Sequence, residues 1–82
     1  MSTKKLSIRE IKAARALLGW SQDDLASHSG VSAPTIGRLE ADGGEIGGRA
    51  DTEQKIRRAL EKAGIEFLNG DQPGVRLKKR KV

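Results

Sequence analysis

Four serines, Ser21, Ser27, Ser29 and Ser32, cluster around the single histidine, His28, and adjacent carboxylates stand at Asp23 and Asp24. Such groups are the raw materials of nucleophilic and metal-assisted hydrolysis. Their spacing serves neither. His28 falls at the expected end of a helix, where an imidazole meets the negative end of the dipole, so surface capping outweighs a general-base role. Neighbouring helical side chains point about 100° apart, which is poor geometry for a carboxylate pair or a metal site. Cysteine is absent, which excludes disulfides and thiolate–metal sites, and one histidine excludes the usual His-rich zinc sites. Four glycines within residues 41–50 lack the Gly-Lys-Ser/Thr of a phosphate-cradling loop and fit no dinucleotide fingerprint. No enzymatic activity, cofactor or metal is expected.

Cationic chemistry remains. Sixteen basic residues against 11 acidic ones give a formal charge of +5. Residues 75–82 hold five of the basic residues and no acidic one, so the segment before them is balanced. The tail alone carries the net charge, and bulk charge is weak evidence for a nucleic-acid partner. At 82 residues and 35% hydrophobic composition, the chain supports one small domain with a thin core. No apolar run approaches the ~18 residues that span a bilayer, and the N-terminal residues lack a signal-peptide pattern. A soluble, cytoplasmic protein is the expectation.

Four helices must position whatever site exists. Ser7 and Glu10 form a capping box ahead of helix 1, whose Ile8, Ile11, Arg15 and Leu18 share one face until Gly19. Helix 2 starts at Ser21, with Asp24 at its third position and Trp20 and Leu25 spaced as a hydrophobic staple. Helix 3 repeats the device with Ser32 as cap, Val31 and Ile36 as staple, and Pro34 in its first turn. Between the two lies only the tight turn around Gly30, so they must cross steeply. Residues 41–50 read as a flexible connection, with Ile46 a candidate to dip into the core. Helix 4 begins near Asp51, with Gln54 in the box position, and runs to Ala63; Ile56, Ala59, Leu60 and Ala63 form its apolar face before Gly64. Residues 65–68 and 75–77 are β-prone pieces around a turn-rich stretch, a hairpin that must pack on the helices or on a second chain.

Counted from Gln22 as the first helical position, Ala26 is fifth, Gly30 ninth, Ile36 fifteenth and Leu39 eighteenth. Ala26 is small where the helices approach, Gly30 makes the turn, and Leu25, Val31, Ile36 and Leu39 anchor both helices to the core. That is a helix-turn-helix pattern. Residues 8–63 resemble the Cro/C1-type (XRE-family) DNA-binding domain of bacterial and phage repressors. The resemblance is carried by Leu18-Gly19-Trp20-Ser21-Gln22-Asp23-Asp24-Leu25-Ala26, Gly30-Val31-Ser32 and Thr35-Ile36-Gly37-Arg38-Leu39-Glu40. It implies a mainly α, lambda-repressor-like bundle of four or five helices over residues 1–64. The β-prone segment and basic tail follow over 65–82.

The resemblance also implies roles. Arg15 and Glu40 match a structural ion pair, which agrees with an arginine interrupting an apolar face and needing a partner there. Helix 3, about 32–41, would enter the major groove and bring Ser32, Ala33, Pro34, Thr35, Gly37 and Arg38 to or near the bases. Arg38 suits bidentate bonding to guanine or a grip on phosphate; Ala33 and Pro34 offer apolar contact to thymine methyls. Ser21 and Gln22 resemble the family's phosphate clamp at the start of helix 2. Arg49, Lys78, Lys79, Arg80 and Lys81 are candidate phosphate contacts, and Lys4, Lys5, Arg9 and Lys12 could flank the groove.

Residues 20–54 pull the other way, with two basic residues against seven acidic ones. The expected function is a sequence-specific regulator, read as a repressor, binding a palindromic operator as a homodimer and associated with the nucleoid. The C-terminal strands, with Ile65, Phe67, Val75 and Leu77, are the expected dimer surface. The alternative is a protein-interaction module such as the antitoxin of a toxin–antitoxin pair, which uses the same fold with a toxin or other protein as partner. A non-specific DNA-coating role, dependent on the tail, comes third.

Overall fold

A computed structural model describes residues 6–42, 50–68 and 74–78, less the side chain of Asp42. Its elements follow from local signals. Ser7 Oγ accepts the Glu10 N–H at 3.2 Å while Glu10 Oε1 accepts the Ser7 N–H at 3.0 Å, a reciprocal box that starts α1 (Ile8–Leu18). Ser21 and Asp24 make the same exchange at 3.0 and 2.9 Å to start α2 (Gln22–Ser29). Gly30, at φ 78°, turns the chain out of α2 in the left-handed region, and only two further residues separate it from α3 (Ala33–Asp42). Ser32 Oγ accepts from the Thr35 N–H at 3.4 Å and lies 2.8 Å from the Thr35 hydroxyl, with Pro34 in the first turn, where it loses no helical hydrogen bond.

The fourth helix departs from expectation at its start. α4 spans Ala50–Lys62, one residue earlier at each end than the spacing predicts. Gln54 points to solvent; the acceptor in the first turn is Glu53. Its carboxylate takes the Leu6 N–H at 2.6 Å and pairs with Arg57 at 3.5 Å. Glu53 prevails because the half-buried Leu6 N–H needs an acceptor and the helix N-terminus favours an anion there. Leu6 itself is fully buried, and its staple spacing to Ile11 is a signal that the sequence reading missed. Ile46, the other core candidate, lies outside the described residues.

β1 (Ile65–Leu68) and β2 (Gly74–Leu77) pair antiparallel, Ile65 opposite Leu77 and Phe67 opposite Val75. β2 begins one residue before the expected Val75. The core gathers Leu6, Ile8, Ile11 and Ala14 of the N-terminal part, Leu25, Val31 and Ile36 of the central helices, Ile56, Ala59 and Leu60 of α4, and Ile65. Phe67 and Val75 pack against it, and the Arg57 guanidinium lies 5.2 Å from the Phe67 ring centroid. The hairpin therefore uses its apolar side on its own helices: β1 lies against α4 and β2 against α1. Of its four expected dimer-surface residues, only Leu77 is largely exposed, at 41%. Among the described residues, no helix is long and apolar enough to cross a membrane.

Candidate nucleic-acid interface

The support of α3 is an ion pair. Glu40, 4% exposed, accepts from Arg15 Nε at 2.8 Å and Nη2 at 2.6 Å, a bidentate geometry that fixes orientation as well as charge. Arg15 Nη1 also donates to the Trp20 carbonyl at 2.9 Å, so one guanidinium ties α1, the α1–α2 corner and α3 together. Burial pushes the Glu40 carboxyl up, but hydrogen bonds from Arg15 and Gln22 and the charges of Arg15 and Lys12 outweigh it and hold the group below its usual range. Arg15 is raised in turn, chiefly by its hydrogen bond to Glu40.

With Ile36 and Glu40 turned inward, the outer side of α3 presents Pro34, Arg38 and Ala41, all exposed, at the i, i+4, i+7 spacing of one stripe. Ala33, Thr35 and Gly37 are half-buried beside it, and Ser32 is exposed at the entry. The Thr35 hydroxyl is engaged by Ser32. Arg38 is the stripe's single long cationic side chain.

Ser21 and Gln22 sit at the start of α2 but are committed locally. Ser21 Oγ caps Asp24, and the Asp24 carboxylate occupies the Ser21 N–H, so an incoming phosphate competes with that carboxylate. The Gln22 amide donates to Glu40 Oε1 at 3.0 Å, joining the ion-pair network. This use of Gln22 was not read from the sequence, because the i to i+18 pairing exists only once the two helices have crossed.

Gly37 lies where α3 passes Gln22: a methyl group there would meet Gln22 Oε1 at 3.4 Å. The obstacle is the end of a flexible side chain. Gly37→Ala is therefore expected to raise stability by about 0.5–1 kcal/mol through helix propensity, measured by chemical denaturation. A loss of stability would show that Gln22 cannot move.

Of the remaining candidates, Lys78 is exposed and its backbone N–H donates to the Gly64 carbonyl at 2.8 Å. Arg9 and Lys12 are exposed on α1. Lys4, Lys5, Arg49, Lys79, Arg80 and Lys81 lie outside the described residues. His28 lies in the last turn of α2, and its ring stacks on Trp20 with centroids 4.2 Å apart and planes 8° from parallel. Among the described residues no group of three or more His, Asp or Glu side chains could hold a metal ion.

No curated protein matches the chain. A family model described as helix-turn-helix matches residues 11–49, the stretch that contains most of α1, all of α2 and α3 and the crossing between them. Its extent agrees with the tightly connected helix pair and with the buried pair that braces the second helix. Residues 11–49 are a helix-turn-helix of the Cro/C1 type, a DNA-binding domain of transcription regulators.

Proposed function

We propose that the protein is a sequence-specific transcriptional repressor that lays α3 in the major groove and reads its site as a homodimer. The observation that carries this reading is the outward stripe of α3, Pro34, Arg38 and Ala41, on a helix braced from behind by Arg15 and Glu40. Arg38 bonds a guanine edge, and Ala33, Pro34 and Thr35 meet neighbouring bases or thymine methyls. Gly37 lets the helix backbone approach the groove closely. The N-terminal N–H groups of α2, with Ser21 and Gln22, meet phosphate oxygens. Two copies would place their α3 helices about 34 Å apart on a palindromic operator, in the cytoplasm with the nucleoid.

The acidic side chains around α2 make this interface depend on cations from elsewhere. We assign that role to Arg49 and to Lys78, Lys79, Arg80 and Lys81. Deleting residues 78–82 is expected to weaken binding to all duplexes alike and to flatten the salt dependence by about 0.9 per lost phosphate contact. An unchanged slope removes the tail from the interface.

Arg38→Ala is expected to lose about 1–3 kcal/mol of discrimination at one base pair of each half-site, with the fold intact. Its measurement is binding to a series of single-base operator variants; unaltered selectivity would end the base-reading role. The test of the whole proposal is selection of full-length protein against a random duplex pool at near-physiological salt. Enrichment of a palindrome supports a dimeric reader. A folded protein that enriches nothing moves the reading to a protein-interaction module of the antitoxin type.

A further inference from the structure

A half-open cleft of about 430 Å³ lies between the end of α1, the α1–α2 corner, the last turn of α2 and the last turns of α4. Leu18, Ala59 and Ala63 give it an apolar lining, the stacked rings of Trp20 and His28 wall one side, and Lys62 stands at its edge. Its volume falls within the roughly 300–1,000 Å³ range of sites that hold a bound group. None of the residues assigned to DNA lines it.

Lys62 also ends a row. Lys55, Arg58 and Lys62 follow the i, i+3, i+7 spacing of one helix face and are all exposed. None has an ion-pair partner among the described residues. The acids nearest the row on the same helix are Asp51, one turn before Lys55, and Glu61, three residues after Arg58. Like charges three and four residues apart repel, so the row adds little to the helix beyond what Lys62 contributes at its C-terminal end.

Cleft and row are continuous through Lys62, and together they restrict the occupant. Duplex DNA would match the cations but has no apolar group to insert in the cleft. A small aromatic acid would fill the cleft and leave Arg58 and Lys55 unused. We propose that this surface docks an acidic protein segment. One aromatic or large aliphatic side chain of that segment enters between Trp20, His28 and Ala63, and its carboxylates lie along Lys62, Arg58 and Lys55. Anchors of this kind in aromatic-walled pockets carry most of the affinity of a peptide contact, and the flanking charges set its specificity.

The test starts from random short peptides displayed against the full chain. Enriched sequences are expected to carry several Asp or Glu residues around a single Phe, Trp, Leu or Ile. An enriched peptide is then titrated while the emission of Trp20, the only tryptophan, is followed. Lys62→Glu, an exposed change that leaves the core intact, is expected to weaken binding about tenfold or more. Replacing the peptide's anchor with alanine should do the same. The double variant Lys55→Glu, Arg58→Glu should weaken the peptide while duplex DNA binding is retained.

Enrichment without acidic bias, or an affinity that Lys62→Glu leaves unmoved, overturns the proposal. So does a double variant that loses DNA and keeps the peptide, which would give the row to the nucleic-acid interface. The operator selection reports separately on the DNA reading, so either idea can fail alone.

Discussion

Replacing Glu40 with alanine is expected to destabilise the domain by about 2–4 kcal/mol, a large share of the ~4–12 kcal/mol that a chain of this length possesses. The lost attraction is the smaller part. The variant leaves Arg15 with one carbonyl partner in place of two carboxylate oxygens, and leaves the Gln22 amide without its acceptor. Arg15 keeps 18% of its side chain exposed, which lets water relieve it and holds the figure below that of a sealed pair. Denaturant unfolding of the variant, beside the double variant Arg15→Met, Glu40→Leu, checks the assignment. The apolar pair should recover much of the loss, because it strands nothing; a fully stable single variant would refute the brace.

The same pair fixes a pH dependence. The folded Glu40 carboxyl titrates below its unfolded range, so its contribution is whole above that range and disappears as pH falls through the folded value. Wild type and Glu40→Ala should therefore differ most near neutrality and converge in acid. Glu66, also lowered by its hydrogen bond to Arg76, titrates in the same direction, but that pair stands in solvent and contributes little to stability.

Ile36→Ala is expected to cost about 2–4 kcal/mol, from the buried methyl groups removed and the cavity left behind. Ile36 is 1% exposed and, with the partly buried Leu39, anchors α3 to the core. Its loss should act twice: on the unfolding midpoint, and on operator affinity at temperatures where the variant is still folded. The second effect arises because a loosened α3 must be ordered again on binding. Calorimetry beside a binding titration separates the two. Normal affinity in the folded variant would show that Glu40 and Leu39 suffice to position the helix.

Much of this architecture is local and therefore legible. Ser7, Ser21 and Ser32 each announce a helix start through chemistry contained within four residues, and Gly30 marks the turn by its backbone freedom. The Arg15–Glu40 pair was legible for another reason: a cation on an apolar face demands a partner, and the family resemblance named it. Gln22, Glu53 and His28 were not readable in this way. Gln22 and Glu53 find their partners, Glu40 and Leu6, only after helices have packed, and His28 finds Trp20 eight residues away along α2, a spacing that no local capping rule covers. The hairpin was legible as two strands, while its docking on α1 and α4 was one of two open outcomes. For base contacts the sequence supplies residue types on α3, and the fold adds that Pro34, Arg38 and Ala41 share its outer side.

The docking of β2 on α1 also bears on how the chain comes off the ribosome. α1 is the first described element to be made, and β2, which covers part of it, is the last. Leu6, ahead of α1, likewise waits for Glu53. At translation rates of about 5–20 residues per second, the apolar side of α1 stays partly uncovered for several seconds, although its neighbours α2 and α3 emerge soon after it. The nascent chain therefore passes through a period in which the helix pair is present but unfinished. A ribosome stalled before the hairpin should hold a protease-sensitive α1, and release of the hairpin should close it.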